Sequence, residues 1–249
     1  MRDGGNFEQR IRRAIQTSIA VKELLLKNSE VLSVIAKVSE TLIDTLERGN
    51  KVILFGNGGS AADAQHIAAE FVGRFAFDRP ALPALALTVN PSCVTAIGND
   101  YGFDRVFSRQ LEALARPGDI SIGISTSGKS PNVLHALSVA GKLGLCTVAL
   151  TGCSSGRLRN MVDHCICAPS NDTPRIQECH ILIGHIIAER EGGDEAVRRH
   201  RGQGSPRSCE NRSKIRYVAL FSIRSAPIPE AIIFMKGCLN LFNAAIVVY

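Results

Sequence analysis

Apolar side chains recur every three or four positions through the first fifty residues. They fall into two stretches, one through Ile11, Ile15 and Ile19 and another through Ile35, Val38 and Leu42. This spacing is that of helices with one apolar face. The segment 27–29, Lys-Asn-Ser, interrupts the pattern with residues that end one helix and cap the next. The sequence therefore predicts two helices over residues 6 to 49.

Short apolar runs then alternate with helical spacing as far as residue 190. The predicted strands are Val52–Phe55, Ala84–Val89, Ile120–Ile124, Thr147–Leu150 and His164–Cys167, and the predicted helices cover 61–73, 103–115, 132–143, 156–161 and 174–190. Continuous runs of Val, Ile and Leu are typical of parallel strands that are buried on both faces. Because helices separate the strands, we expect an α/β fold with a doubly wound, five-stranded parallel sheet and an N-terminal helical hairpin.

The composition changes after Gly192. Residues 192–249 carry nine Lys and Arg against four Asp and Glu, which is +5 of the net charge of +6 and leaves +1 for residues 1–191. A polar stretch at 198–207 precedes apolar patches at 218–223 and 231–235. We expect one domain over 1–191 and an atypical basic and apolar extension over 192–249. Three readings of this extension remain open: an added hairpin or helix, a segment whose structure depends on a partner, and an accidental extension of the chain.

The composition argues against several classes of protein. Apolar residues make up 45% and charged residues 21% of the chain, as in ordinary globular domains. No apolar run is long enough to predict a membrane span, and the first residues lack the apolar core of a signal peptide. No basic and aromatic patch accompanies the charge, so we expect no nucleic-acid partner. Eight cysteines without C-x-x-C spacing favour free thiols in a reducing cytoplasm.

A glycine-rich loop follows the first predicted strand. Gly56-Asn57-Gly58-Gly59-Ser60 joins that strand to a predicted helix. Unpaired backbone N–H groups and the positive end of the helix dipole favour an anion there, above all a phosphate. The loop matches neither G-x-G-x-x-G nor the P-loop pattern, which argues against a dinucleotide-binding fold and an NTPase.

A hydroxyl-rich loop follows the third predicted strand. Ser125-Thr126-Ser127-Gly128-Lys129-Ser130 offers four hydroxyl groups as donors to the oxygens of a phosphate. Pro131 suits the first turn of the next helix. Both loops come after the carboxyl ends of parallel strands, where ligands bind in sheets of this kind. Together they predict a site for a phosphate or another oxyanion.

Five motifs, in this order and spacing, resemble the SIS (sugar isomerase) domain superfamily and, within it, the phosphoheptose isomerases. They are the two loops above, Gln65-His66 through Glu70, Gly98-Asn99-Asp100, and Thr173-Pro174-Arg175-Ile176-Gln177-Glu178 with His180 and His185. The resemblance covers roughly residues 5 to 191. It implies a cytoplasmic homotetramer that isomerises sedoheptulose 7-phosphate to D-glycero-D-manno-heptose 7-phosphate, the entry to heptose for surface polysaccharides such as lipopolysaccharide.

The resemblance also implies residue roles. Substrate would contact Asn57, Gly58, Gly59, Ser60, Glu70, Asn99, Asp100, Ser125, Thr126, Ser127, Ser130 and Gln177. Glu70 and His185 would be the acid–base pair. One Zn²⁺ per subunit would be held by His66, Glu70, Gln177 and His185. The spacing agrees, since residues four or eight apart share a helix face, and nitrogen with oxygen ligands suits Zn²⁺, although a Gln carbonyl is an unusual ligand.

Ketose–aldose isomerisation requires a base that moves a proton between adjacent carbons and a partner that moves a proton between oxygens, through an enediol. Glu70 and His185 can supply both. The alternative is a non-catalytic, tetrameric SIS protein of the DnaA initiator-associating type, a family that lacks the Glu and His at these two positions. A sugar-phosphate-sensing regulator is a third reading, which the absence of a DNA-binding region disfavours. The sequence favours the enzyme.

Overall fold

The computed structural model of the chain describes residues 4–76 and 78–190. Its elements in chain order are α1 (Gly4–Lys27), α2 (Ser29–Glu47), β1 (Val52–Gly56), α3 (Gly59–Val72), β2 (Ala84–Ala86), α4 (Pro91–Tyr101), α5 (Ser108–Leu114), β3 (Ile120–Ile124), α6 (Pro131–Lys142), β4 (Cys146–Thr151), β5 (His164–Cys167) and α7 (Thr173–Arg190). Asn28 separates the first two helices, and its side chain accepts a hydrogen bond from the Val31 backbone N–H. The predicted extension over 192–249 lies outside the described residues.

The five strands form one parallel sheet in the order β2-β1-β3-β4-β5. Every residue of β1 and β3 is buried. These two strands pair from Val52 opposite Ile120 to Gly56 opposite Ile124, so they end at the same edge of the sheet. The predicted α/β fold with a doubly wound parallel sheet is confirmed.

Helices cover both faces of the sheet. Leu54 and Ile122 pack against α2, α3 and α7 on one face, while Ile53 and Phe55 pack against α5 and α6 on the other. Neighbouring residues of β1 therefore enter different cores, as the alternation of side chains along a strand requires. Among the described helices none has the length and apolar character to cross a bilayer.

Three parts of the structure differ from the sequence prediction. β2 ends at Ala86 instead of Val89, because the Asn90 side chain accepts a hydrogen bond from the Cys93 N–H and begins α4, a helix that was not predicted. The predicted helix over 103–115 divides into a 3₁₀ turn at Phe103–Arg105 and α5. The predicted helix over 156–161 is a 3₁₀ turn at Leu158–Asn160.

Candidate active site

The glycine-rich loop takes a shape that only glycine permits at two positions. A Cβ at Gly56 would lie 2.9 Å from the Ile124 carbonyl oxygen on the neighbouring strand, and Gly58 has a φ of +56°. A positive φ of this kind strains residues with a side chain. Gly58 is the N-cap of α3 and gives that helix no side-chain cap, and Ser60 is buried in its first turn. The Ser60 and Ala61 N–H groups already donate to the Asn57 and Gly58 carbonyl oxygens, so a ligand would meet the N–H groups of Gly58 and Gly59.

A pair of asparagines joins the glycine-rich loop to the start of α6. The side-chain amides of Asn57 and Asn132 exchange two hydrogen bonds, each 2.9 Å long. Asn132 is buried at the second position of α6, immediately after the hydroxyl-rich loop. The first turns of α3 and α6 are therefore held together at one edge of the sheet.

The hydroxyl-rich loop folds back on itself. The hydroxyl oxygens of Ser125 and Ser130 lie 3.0 Å apart, and the Lys129 N–H donates to the Ser127 hydroxyl at 3.3 Å. Gly128 has a φ of +64° and allows the reversal. The structure thus brings Ser125 and Ser130 together, with Thr126 partly buried and Ser127 exposed between them. An N-terminal helix turn lined by hydroxyls is suited to bind a phosphate.

The two site helices α3 and α7 bring three predicted site residues into one cluster. His66 Nε2 lies 2.9 Å from His185 Nε2 and 3.3 Å from Glu70 Oε1. One ligand atom from each of the three residues lies within 4.8 Å of the others. The sequence spacing predicted the shared face of His66 and Glu70, and the packing of α7 on α3 adds His185 to them.

The cluster has the geometry of a metal site. Zn²⁺ bonds of about 2.0–2.1 Å in a tetrahedron place neighbouring ligand atoms about 3.3 Å apart, close to the separations of 2.9 and 3.3 Å between these ligand atoms. Two imidazole Nε2 atoms that face each other cannot both carry a proton, whereas both can bind one cation. His66, Glu70 and His185 therefore fit a borderline cation such as Zn²⁺.

Gln177 occupies the same helix as His185, two turns earlier. Its side-chain amide lies against Gly59 at the first turn of α3, and a Cβ at Gly59 would clash with that amide. The absence of a side chain at Gly59 thus makes room for Gln177 beside the glycine-rich loop. This places the Gln177 amide at the contact between α3 and α7.

Two other predicted site residues lie on the surface, and His180, a motif residue that was predicted to be a bystander, lies in the core. Asn99 and Asp100 are exposed at the end of α4, where the Asn99 amide donates to the Asp100 carboxylate at 2.8 Å. His180 is fully buried with Nε2 3.2 Å from the Thr151 carbonyl oxygen, and burial lowers its pKa to about 4. His180 is therefore a neutral core residue.

Three residues that the sequence analysis missed hold the site helices in place. Arg79 donates to the backbone carbonyls of Glu70 on α3, at 2.7 Å, and Ala188 on α7, at 3.0 Å. The Phe75 ring stacks on the His185 imidazole at 5.2 Å. Gly184 allows close approach, because a Cβ there would lie 2.5 Å from the Ile67 side chain. An isolated glycine within a helical pattern was the one signal available for these contacts.

Asp63 lies on α3, three residues before His66. Burial raises the pKa of its carboxyl group, and the positive charge of His66 lowers it in part. One carboxylate oxygen is buried without a hydrogen-bond partner. Burial of this carboxyl group therefore disfavours its charged form.

Comparison with known proteins assigns this architecture to a family. The family described as SIS domain matches residues 19–152. Phosphoheptose isomerase from Aneurinibacillus thermoaerophilus is 55% identical over 71% of this chain and 89% of its own length, and that from Sulfurimonas denitrificans is 54% identical over 72% and 92%. The structure of phosphoheptose isomerase from Neisseria gonorrhoeae aligns with a TM-score of 0.70 at 40% identity, over 74% of this chain and 98% of that one. The similarity thus spans most of each of these relatives.

Proposed function

The chain belongs to the phosphoheptose isomerase family of SIS-domain proteins, and we propose that it isomerises sedoheptulose 7-phosphate to D-glycero-D-manno-heptose 7-phosphate. The observation that carries this function is the cluster of His66, Glu70 and His185 beside two phosphate-type loops. A non-catalytic protein of the DnaA initiator-associating type, which lacks the Glu and the final His, has no use for that cluster. The enzyme is therefore favoured over the binding module.

Incubation of the purified protein with sedoheptulose 7-phosphate tests the function directly. We expect an aldose heptose 7-phosphate to accumulate, as detected by NMR of the sugar carbons. When the aldose is supplied instead, we expect the reverse reaction to form the ketose. Fructose 6-phosphate, a shorter ketose phosphate, serves as the control substrate and should react far more slowly. A protein that binds sedoheptulose 7-phosphate without converting it would instead be the binding module.

The two loops would divide the substrate between them. Ser125, Thr126, Ser127 and Ser130 would bind the phosphate, which the hydroxyl groups and the N-terminus of α6 support. The sugar would contact Asn57, Gly58, Gly59, Ser60, Glu70, Asn99, Asp100 and Gln177. Phosphate binding at one end of the chain would fix the carbonyl end near the His–Glu cluster, so that binding energy orients the reacting carbons.

The proton transfers would use Glu70 and His185, whose side-chain ligand atoms lie within 4.8 Å of each other. The Glu70 carboxylate would remove the proton from the carbon beside the carbonyl and return it to the adjacent carbon, through an enediol. His185 would move a proton between the two oxygens, and its stacking on Phe75 would keep the imidazole in position. The Glu70 side chain is 19% exposed, which leaves the carboxylate accessible to a substrate while limiting competing water.

We propose that His66, Glu70, Gln177 and His185 hold one Zn²⁺ per subunit. The fit of the two distances from His66 Nε2, to His185 Nε2 and to Glu70 Oε1, supports this. A bound Zn²⁺ would polarise the substrate carbonyl and stabilise the oxyanion that develops on it.

Removal of metal is therefore expected to lower the activity. Dialysis against a chelator should reduce kcat, and stoichiometric Zn²⁺ should restore it, because the ligand atoms are already arranged for the ion. Metal content before and after dialysis is measured by atomic absorption. If the metal-free protein has the same kcat as the untreated one, the four residues form an acid–base and polar site only.

Assembly into a homotetramer is a further part of the proposal. A stripe of exposed apolar residues runs along α1, with Phe7, Ile11, Ile15 and Ile19 between 46% and 66% exposed. Residues four apart lie on one helix face, and an exposed apolar face of this kind favours association. In a symmetric oligomer, the same stripe on a second copy of the chain would cover this apolar face.

Light scattering should give the mass of a tetramer for the parent chain. We expect Ile15→Glu, at the centre of the stripe, to shift the mass to a smaller species, because it buries a charge in the contact. Gln16→Glu adds the same charge at an exposed polar position beside the stripe and should leave the tetramer intact. A monomeric parent chain would contradict the proposed assembly.

We propose that residues 1–191 carry the whole activity. All proposed site residues precede residue 186, and the described fold closes with α7. We expect a chain that ends after about residue 195 to keep its kcat in the activity assay and to be more soluble, as measured by sedimentation. The few residues beyond 191 allow for the uncertainty in where the last helix ends. Loss of folding or of the tetramer in the shortened chain would show that the extension belongs to the domain.

A cytoplasmic location is also proposed, with the product entering heptose for lipopolysaccharide or a related surface polysaccharide. The six described cysteines are free thiols, which is typical of a reducing compartment. Fractionation of cells that express the full chain tests the location. Recovery in the soluble cytoplasmic fraction is the expected result.

A further inference from the structure

Two cysteines that have no part in the proposed reaction lie side by side on the edge strand β5. The Sγ atoms of Cys165 and Cys167 are 3.7 Å apart. The two residues are separated by one position, so their side chains leave the same face of the strand. Both are only partly buried. The thiols are thus in contact with each other and within reach of small solutes.

The surroundings make the two thiols unequal. A hydrogen bond from Cys165, together with the Ser155 hydroxyl and the positive charge of Arg159, lowers the pKa of the Cys167 thiol against the opposing effect of burial. The same hydrogen bond, with burial, raises the pKa of Cys165. The lowered pKa of Cys167 favours it as the nucleophile of the pair, with Cys165 as the thiol that keeps its proton.

Small molecules have a path to one thiol of the pair, Cys165. Cys165 lines an open cavity of about 290 Å³ between α2 and the segment that leads into β5, together with Lys37 and Arg159. Arg159 is held there by an ion pair with Glu30 at 2.7 Å. The cavity is large enough for a peroxide, and its lining carries two acidic side chains, Glu30 and Asp163, besides the two cationic ones.

We propose that Cys165 and Cys167 are a peroxide-reactive dithiol that closes reversibly into a disulfide. The Cys167 thiolate attacks one oxygen of the peroxide and becomes a sulfenic acid, and for hydrogen peroxide the other oxygen leaves as hydroxide. The Cys165 sulfur then attacks the Cys167 sulfur, and the oxygen of the sulfenic acid leaves as water. Two thiols are oxidised, and one peroxide is reduced to two waters.

The position of the pair makes the disulfide one that thiols reduce easily. Residues two apart on a strand have Cα atoms about 6.6 Å apart, at the upper end of the range that disulfides span. β5 must shorten locally for the bond to form, which an edge strand paired only with β4 allows. Strained disulfides of this kind are the labile ones. A thiol reductant therefore restores the pair.

Oxidation should reach the phosphate-binding loop through one contact. The Ser155 hydroxyl lowers the pKa of the Cys167 thiol, and the Ser155 carbonyl lies so close to Gly128 that a Cβ there would be 2.8 Å from it. Gly128 is the turn of the hydroxyl-rich loop. Loss of the interaction between the Cys167 thiolate and the Ser155 hydroxyl should move this turn and weaken phosphate binding, a consequence that rests on the proposed function.

Peptide mapping of the full chain tests the disulfide without any assumption about activity. After treatment with hydrogen peroxide and blocking of free thiols, we expect the peptide with Cys165 and Cys167 to have lost two hydrogens and to resist alkylation until dithiothreitol is added. Cys165→Ser and Cys167→Ser should each abolish this change. Cys153→Ser removes an exposed thiol from the same neighbourhood and should leave it intact.

Kinetics then test the link to the loop. We expect oxidation to raise KM for the sugar phosphate about 3- to 10-fold, the effect of losing one hydrogen bond, with kcat little changed and dithiothreitol restoring both. Alkylatable Cys165 and Cys167 after peroxide, a persistent sulfenic acid on Cys167, or a disulfide to another chain would each overturn the proposed pair. A disulfide that leaves KM unchanged would retain the pair and refute its effect on the loop. A protein with the mapped disulfide and no isomerase activity at all would count against the proposed function alone.

Discussion

Replacement of Glu70 by Gln is expected to lower kcat by about 10²–10⁴-fold, the usual contribution of a general base. Gln has nearly the shape of Glu but cannot accept the proton from carbon. The Glu70 carboxylate lies 3.3 Å from His66 Nε2. Arg79 holds this part of α3 in place, because it donates a hydrogen bond to the Glu70 backbone carbonyl. The fold should therefore be kept, as judged by thermal melting. Turnover of sedoheptulose 7-phosphate is the measurement, with a substrate-induced rise in Tm to show that the variant still binds.

The matched control is Glu112→Gln on the exposed surface of α5. It makes the same chemical change outside the site and should retain the parent kcat. Activity of Glu70→Gln within a few fold of the control would remove Glu70 from the proton transfer. Loss of both activity and the substrate-induced Tm shift would assign Glu70 to binding instead.

The sheet was predictable because buried parallel strands have a plain sequence pattern. β3 and β5 begin and end where their apolar runs do. The rule that ligands bind at the carboxyl ends of such strands then located both loops. The register of β1 with β3 confirms that these loops begin at the same edge. Local patterns sufficed here because the strands and the loops are each continuous in sequence.

The short helices were predicted less well because their ends depend on individual caps and backbone angles. α4 begins after Asn90, whose side chain accepts a hydrogen bond from the Cys93 N–H, and it ends at Tyr101, before Gly102, whose φ is +89°. Neither feature changes the hydrophobic periodicity, so the pattern extended β2 to Val89 and merged the turn at Phe103–Arg105 with α5. A cap contributes about one hydrogen bond, which is enough to fix a boundary and too little to alter a periodicity.

The composite site could be predicted only in parts. Helix periodicity places His66 beside Glu70, but no spacing rule brings His185, on a helix far along the chain, to the same point. That meeting depends on Gly184 against Ile67 and on Arg79, which bonds to both helices. These contacts are tertiary: Ile67 packs where Gly184 has no side chain, and Arg79 reaches both helices from a loop. Only the resemblance to a family supplied the combination before the structure did.

Replacement of His185 by Gln is expected to lower kcat by about 10²–10⁴-fold and to resist rescue by Zn²⁺. The imidazole would serve both as a ligand and as the group that moves a proton between oxygens, and an amide cannot do the second. Replacement of His66 by Gln should also lower kcat, but excess Zn²⁺ should restore much of it, because mass action compensates for a weakened ligand. Both variants are assayed over a series of Zn²⁺ concentrations.

The contrast between the two variants separates the two roles, since His66 and His185 place equivalent Nε2 atoms 2.9 Å apart at one point. A metal ligand that only binds should affect the concentration of Zn²⁺ needed, and a proton-transfer group should affect the rate at saturating Zn²⁺. His135→Gln on α6 is the control for the chemical change and should behave as the parent. If Zn²⁺ rescues both variants equally, His185 is only a metal ligand, and another group must move the proton between the oxygens. If Zn²⁺ rescues neither variant, His66 also has a role in the proton transfer.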